Sequence, residues 1–378
     1  MGFAEAAIRM GDRAAHILLI GGGHAHLAVL ADWIRKGLPS ARATLITPHR
    51  HLRYSGTVPG WIAGQYDRDT GLVDLSGLAA RAGVDLVLDR CVRIDPDSRI
   101  IAGEQGLELP FDIASIDIGG VGQAAKLLGD DPRIIDIRPI DRFVDELGRH
   151  SAAKRIAVIG GGAGGTELAF GLRNAACFDR QPDIAFVTGA AGLLPDFAPA
   201  VRGKVKAELK RQGIEVIVGD ASIKAGQLNV ERASCEPVDL IVAALGSGAP
   251  DWPARGGLAC DESGFIAVDR FQRSISHPHV LAVGDVAARQ DRRIAHSGVH
   301  AVFAGPVLAG NLRLMAARLA PQRSYTPRWN NLYLMSTGRG EAIASYGPFA
   351  AQGRWVSRLK HWIDNRWLSQ YAALAKPG

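Results

Sequence analysis

Two glycine-rich turns of one kind constrain this chain more than anything else in it. They read Gly21-Gly22-Gly23-His24-Ala25-His26 and Gly160-Gly161-Gly162-Ala163-Gly164-Gly165. Each follows an apolar run, His16 to Ile20 and Arg155 to Ile159, and each leads into a stretch with helical periodicity, Leu27 to Lys36 and Thr166 to Asn174. Strand, glycine turn, helix is how a βαβ unit presents a helix N-terminus to a pyrophosphate. The glycines let backbone approach the phosphates, and free N–H groups with the helix dipole hold the charge. Candidate phosphate-loop residues are therefore Gly21, Gly23, His24, Ala25 and His26 in the first turn. In the second they are Gly160, Gly162, Gly165 and Thr166. Two such turns imply two dinucleotides, and two dinucleotides imply electrons or hydride passing between them.

Composition sets the frame. The chain has 378 residues, 47% hydrophobic and 22% charged, with 45 glycines. That suits an α/β protein of about two domains at roughly 100–200 residues each. The formal charge is +6 and the pI about 9.3. Basic residues are dispersed rather than clustered in a run, so no nucleic-acid partner is expected. Cys91, Cys177, Cys235 and Cys260 form no CxxC pair. They read as reduced structural thiols in a cytoplasmic protein, with no metal-ligand set. Residues 1–14 have no apolar core and read as a tail without a signal peptide. No run of about 18 uncharged apolar residues predicts a spanning helix.

Along the chain, Ala43 to Thr47 reads as a second strand and His49 to Gly64 as a functional loop. Leu72 to Arg81 reads as a helix. Val84 to Leu88, Cys91 to Ile94, Arg99 to Ala102 and Leu107 to Pro110 read as a meander of short strands, and Phe111 to Gly119 as a buried strand. Residues 121–153 read as a crossover. Asp183 to Thr188, Asp239 to Ala244, Gly264 to Val268 and His279 to Val283 continue the strands. Pro199 to Gln212 and Ser297 to Leu319 read as helices. Beyond Arg328 come two short strands and a basic, aromatic helix. This order predicts an α/β fold of two Rossmann-like domains, the second inserted in the first. The expected bounds are 15–150 with 263–324 for the first domain and 151–262 for the second. A C-terminal region spans 325–378, after an N-terminal tail of 1–14.

The first turn, the meander, the second turn and Gly284-Asp285 after an apolar strand together resemble the pyridine nucleotide–disulfide oxidoreductase superfamily. A closer resemblance lies in the first turn, Tyr54 to Gly60, Phe111 to Gly119, Arg138 to Asp141, Gly347-Pro348-Phe349 and Gly353-Arg354-Trp355. These are similar to type II NADH dehydrogenase-like flavoproteins, found alone or fused to selenide, water dikinase. The resemblance covers nearly the whole chain from His16 and implies FAD in the first domain and NAD(P)H in the second. For FAD it implies, beside the first turn, Thr47, Arg50, Ser55, Gly56, Val92, Asp117, Ile118, Gly119, Gly284, Asp285, His296, Ser297, Gly298 and Val299. For NAD(P)H it adds Thr188 and Gly246. Tyr54 and Glu167 are the implied catalytic positions. Glu167 either approaches the nicotinamide and flavin or pairs with the helix dipole.

The departures from that pattern are specific. His26 replaces a third glycine and either touches phosphate or is packed. Thr47 and Thr188 stand where relatives carry an acid for the ribose hydroxyls, and no nearby arginine answers a 2′-phosphate. Residues 27–60 hold no cysteine pair, and no cysteine lies between Val92 and Ala176 or after Cys260. Thiol chemistry at a flavin is therefore not expected. Phe303-Ala304 either lines a quinone-like pocket or belongs to the core.

The resemblance implies an FAD-dependent NAD(P)H oxidoreductase that passes electrons to a small-molecule acceptor, quinone-like or other. The alternatives are a flavoprotein with a non-nicotinamide donor, and a flavin-binding partner module without turnover. Trp355, Leu359, Trp362, Ile363 and Trp367 recur at near-helical spacing among Arg354, Arg358, Lys360 and Arg366. That amphipathic helix either lies on the inner face of a membrane or packs on its own body or on a twin subunit in a homodimer.

Overall fold

The computed structural model describes residues 14–376. The readings made for the N-terminal tail fall almost wholly outside the described residues, which begin at Ala14.

Strand β1 (Ala15–Ile20) is apolar from Ile17 onward, with Ile17, Leu18, Leu19 and Ile20 fully buried. Uniform apolarity marks a central parallel strand covered on both faces. Helix α1 (His24–Lys36) follows, then β2 (Ala41–Thr47), helix α2 (Leu75–Ala82), β3 (Asp85–Leu88) and β4 (Ile113–Ile116). Next come β5 (Ile134–Asp136), β6 (Arg155–Ile159), helix α3 (Ala163–Arg173), β7 (Asp183–Val187), β8 (Glu215–Ile217), β9 (Leu240–Ala243) and β10 (Val280–Ala282). Two all-parallel sheets result, in the orders β10-β4-β1-β2-β3 and β5-β9-β6-β7-β8. Around their first strands the two sheets share one arrangement. β1 lies between β2 and β4, and β6 lies between β7 and β9. In each case the strand order reverses at the glycine turn, where ligands of such sheets bind.

Alternation along β1 divides the first core. Ile17 and Leu19 face the layer that holds α1, while Leu18 and Ile20 face a second cluster with Ile46, Ile116 and Val280. Helix α4 (Gly298–Ala316) lies against α1, with Ala304, Leu308, Ala309 and Leu312 in that core. By length and composition α4 would suffice to cross a membrane, but these residues bury it against α1 instead. Arg313 ties the pair together, its Nε to Asp32 Oδ2 at 2.5 Å and its Nη2 donating to the Gly37 carbonyl at 2.6 Å.

Val84 to Leu88, read as part of the meander, instead pairs with β2 in the first parallel sheet. Residues 134–136, read as crossover ahead of a second domain at 151–262, form an edge strand of the second sheet because they pair with β9. Three more local readings are corrected. Leu72 to Asp74 is a strand paired with His51–Arg53, and the helix starts at Leu75. The reason is Asp74, whose carboxylate accepts the Gly77 N–H at 2.9 Å and caps the helix there. The C-terminal region has three strands rather than two: β11 (Leu332–Ser336), β12 (Ala342–Tyr346) and β13 (Phe349–Gly353), ahead of helix α5 (Arg354–Ala375). Phe349 to Gly353 has no alternating pattern, and its strand character comes from pairing with β12. Helices α1 and α3 begin inside the glycine turns, at His24 and Ala163, because Gly23 and Gly162 cap them in extended conformation.

Gly305 sits where α4 meets α1. A Cβ there would lie 2.6 Å from Ala28 Cβ and 2.9 Å from the Ala25 carbonyl oxygen. Gly305→Leu should push the helices apart and cost about 1–3 kcal/mol, read as a lowered urea midpoint.

Candidate active site at the ends of two parallel sheets

The first glycine turn leaves β1 between Thr47, the last residue of β2, and Asp117, which follows β4. Asp117 turns its carboxylate onto the start of α1. Its Oδ2 accepts the Ala25 N–H at 2.8 Å and the His26 N–H at 3.0 Å. Gly23 must lack a side chain, because a Cβ there would run into this carboxylate. Asp117 is 2% exposed. Burial pushes its carboxyl up to about 6, although the His26 and Ala25 amides and His24 pull the other way. Thr47 is buried, its hydroxyl 3.3 Å from where a Gly22 Cβ would stand.

His26 is packed and does not face a ligand. Its Nδ1 meets the Gly21 carbonyl at 2.6 Å and its Nε2 the Ser115 hydroxyl at 2.8 Å. Burial pulls it down to about 4, so the ring is neutral near pH 7. His24 is different. Its ring lies 5.8 Å from that of Tyr54 and 5.4 Å from that of Trp367. Its buried Nε2 has no hydrogen-bond partner.

Gly284-Asp285 closes the cleft from β10. Asp285 Oδ2 accepts from Arg138 Nη2 at 3.0 Å and from the Ser247 hydroxyl at 2.8 Å. Both partners belong to the segment between the two returns to the first sheet, so one carboxylate joins the two halves of the fold. Gly119 lies where the chain leaves the first sheet, and Val121 then bridges to Gly248. His296 stacks on Phe265 at 4.0 Å. Ser297, Gly298 and Val299 begin α4, with Ser297 beside Gly284 in a small cavity. Ile118 contacts the turn at Gly21. Arg50 and Ser55 are exposed, and Val92 is 38% exposed on a strand of the meander.

Helix α5, read from the sequence only as an amphipathic helix, brings Lys360, Trp367 and the unremarked Asp364 to the site. Tyr54 Oη donates to Asp364 Oδ1 at 3.0 Å, and its ring stacks on Trp367 at 4.7 Å. Lys360 Nζ donates to the Gly56 carbonyl and to Asp364 Oδ2, each at 3.1 Å. Glu167 Oε1 accepts the Ser336 N–H at 2.8 Å and lies in the field of Lys360. Burial raises the Glu167 carboxyl, and Lys360 only partly offsets this. Burial lowers the Lys360 ammonium, but Glu167 and Asp364 outweigh it, so its net shift is upward. Burial raises the Tyr54 hydroxyl, and Asp364 adds to the shift. Lys360, Asp364 and Trp367 are spaced i, i+4, i+7. A lysine and an aspartate on the apolar stripe were the available signal. Phe303 is 37% exposed under the Arg328 guanidinium, whereas Ala304 is core.

The second turn is more open. Gly162 and Gly164 are exposed, with nothing near a Cβ placed on either. Gly165 allows the Gly160 carbonyl to pack against the start of α3. Two polar side chains expected to meet the nucleotide turn inward instead. The Thr166 hydroxyl donates to the Gly162 carbonyl at 2.9 Å, and that of Thr188 to the Ile217 carbonyl at 3.5 Å. Gly246 precedes Ser247, which holds Asp285.

A flavin dinucleotide fits the first cleft. His24 Nε2, Arg138 Nε and Ser297 Oγ are buried there without hydrogen-bond partners, and such atoms are costly unless a ligand satisfies them. Among the described residues no group of three or more His, Cys, Asp or Glu is placed to hold a metal, and the four cysteines are unpaired.

A family model described as pyridine nucleotide-disulphide oxidoreductase matches residues 15–305. Ferroptosis suppressor protein 1 of Taeniopygia guttata is 23% identical over 285 residues, covering 71% of this chain and 72% of that protein. The NDH2 structure from Plasmodium falciparum in complex with NADH superposes with a TM-score of 0.77 at 14% identity, covering 96% of this chain and 97% of that one. The sulfide:quinone oxidoreductase of Aquifex aeolicus gives 0.75 at 16% identity, covering 96% and 92%. At these identities the structural likeness shows the fold alone.

The two buried groups beside the first turn have opposite pH signatures. Asp117 is raised in the folded state, so its contribution is most favourable near pH 4 and is lost as pH rises through about 6. His26 is lowered, so its penalty grows as pH falls from its ordinary value towards about 4. Asp117→Asn keeps an acceptor for both amides and removes the first effect alone. The variant should gain stability over wild type as pH rises from 4 to 7, by on the order of 2 kcal/mol, in paired urea titrations.

Proposed function

The chain belongs to the pyridine nucleotide-disulphide oxidoreductase family, and on that premise we propose that it is an FAD-dependent NAD(P)H oxidoreductase delivering electrons to a small-molecule acceptor of the quinone type. Members of this family use FAD and NAD(P)H. The observation that carries the reading is the chain of contacts from His24 at the first turn through Tyr54, Asp364 and Lys360 to Glu167 just after the second, with Asp285 joining the two halves. FAD bound there would supply the two-electron chemistry between donor and acceptor.

In this reading the chain's own residues bind, orient and manage protons. The start of α1 and the unpartnered polar atoms of His24, Arg138 and Ser297 hold the flavin dinucleotide. The open Gly160–Gly165 turn holds the nicotinamide dinucleotide. Tyr54, Asp364 and Lys360 form a hydrogen-bonded group between the two, with Glu167 in the field of Lys360. A quinone acceptor takes up protons with its electrons, and burial shifts the Glu167 carboxyl towards its protonated form. Packing of Trp367 on Tyr54 excludes water from this group.

Anaerobic mixing of the purified protein with NADH or NADPH should bleach the flavin band rapidly. No bleaching by either overturns the proposal. Glu167→Gln should slow turnover with a soluble quinone by about 100-fold while nicotinamide binding holds. Equal loss of binding would make Glu167 a structural residue instead.

Peripheral membrane contact is part of the same proposal. Val356, Ser357, Asp364 and Tyr371 bury one face of α5 against the body. The opposite side leaves Trp355 and Trp362 58% and 59% exposed, with Arg366 over the Trp362 ring. Residues 292–378 hold twelve Lys or Arg against two acids, Glu341 and Asp364. Basic charge with interfacial tryptophans suits an anionic lipid surface. In flotation assays the protein should rise with anionic vesicles, stay behind with zwitterionic ones, and lose binding in the Trp355→Ala, Trp362→Ala double variant.

A further inference from the structure

The second nucleotide unit lacks the acid that ordinarily reads a ribose, yet a carboxylate stands beside the vacant position. In a Rossmann unit an Asp or Glu at the end of the strand after the first helix accepts the adenosine ribose hydroxyls. Here that strand is β7, and it runs into Thr188 and Gly189. Thr188 is buried and its hydroxyl points to the Ile217 carbonyl. Gly189 has no side chain. Asp220 lies three residues past the next strand, β8, and its Oδ1 accepts the Ala190 N–H at 2.9 Å. The same oxygen is 3.4 Å from where a Cβ on Gly189 would stand. The carboxylate therefore lies against the root of the missing side chain.

The placement is built into the fold. Gly219 takes φ +150, and a Cβ there would lie 2.9 Å from Val230 Cγ1, so the chain turns sharply into Asp220. The Asp220 carbonyl accepts the Glu231 N–H at 3.0 Å. Backbone and side chain are thus both anchored, while the residue as a whole is exposed. Among the described residues its carboxylate makes no other hydrogen bond, which leaves Oδ2 for a ligand. The loop it holds is in contact with the second glycine turn. Leu194 N–H donates to the Gly161 carbonyl at 2.8 Å, and a Cβ on Gly161 would lie 2.6 Å from the Thr188 carbonyl oxygen.

We propose that Asp220 is the specificity-determining carboxylate of the second site, accepting the adenosine ribose hydroxyls of NADH and repelling the 2′-phosphate of NADPH. The inference rests on the reading of the Gly160–Gly165 turn as a nicotinamide-dinucleotide site. A hydroxyl donating to a carboxylate is a charge-assisted bond, and a phosphate at the same place meets like charge.

The test uses the full-length, flavin-loaded protein. Dissociation constants for NADH and NADPH are measured by fluorescence titration for wild type, Asp220→Asn and Asp220→Arg. Reduced nicotinamide mononucleotide, which has no adenosine, is the control donor. Wild type should prefer NADH. Asp220→Asn keeps an acceptor for Ala190 and should weaken NADH about tenfold, narrowing the NADH:NADPH preference by at least as much. Asp220→Arg should invert the preference. Turnover with the mononucleotide should not change in either variant. An unchanged preference in both variants, wild-type preference for NADPH, or a parallel loss with the mononucleotide overturns the assignment and leaves the dinucleotide site standing. Wild-type protein that binds neither nucleotide overturns the site and, with it, the assignment.

Discussion

Asp117 accepting the Ala25 and His26 amides is the contact on which the first half of the molecule depends. It docks the end of β4 onto the first turn of α1, and so sets where the glycine turn sits over the sheet. Two of the four amides that every helix start leaves unsatisfied are met by a neighbouring strand rather than by a local cap. The arrangement works only because Gly23 has no side chain and because Gly284 passes close by, its Cβ position 3.0 Å from Asp117 Oδ1. His26 then fills the space of a third glycine with a neutral ring bonded to Gly21 and Ser115. One buried acid thus makes an unusual turn sequence coherent.

A second polar contact sits between the halves. Asp285, Arg138 and Ser247 close one side of the cleft, while α5 closes the other with Lys360, Asp364 and Tyr54. Burying a lysine is costly unless opposite charge and hydrogen bonds compensate. Lys360 has Asp364 at 3.1 Å, the Gly56 carbonyl, and Glu167 in its field. Removing any one member would strand the others, so these residues bind α5 to the cleft as a unit. The C-terminal helix is therefore part of the candidate site and also carries an exposed tryptophan face.

Much of this was legible in the sequence. His16 to Ile20 and Arg155 to Ile159 read as central strands because a parallel strand buried on both faces must be apolar throughout. The glycines after them read as ligand turns because few residues let backbone come so close. Short-range capping was less visible. Asp74 moved a helix start by three residues, and Phe349 to Gly353 became a strand only by pairing with β12. The side chains of His26, Thr166 and Thr188 sit at the expected places in the loops, yet they bond to the protein's own carbonyls and hydroxyls. Residue type and spacing do not record which way a short polar side chain turns.

The sequence alone determined the local grammar: two strand–turn–helix units, a late Gly-Asp, and an amphipathic basic helix at the end. Each depends on residues within a few positions of one another, where backbone conformation and hydrophobic periodicity act. Only the tertiary structure decided which distant groups meet. Asp117 reaches α1, Arg138 reaches Asp285, Lys360 reaches Gly56 and Asp220 reaches Ala190 through sheet order and helix packing. Electrostatics in a cleft depends on distance in space, and distance in space is set by the fold.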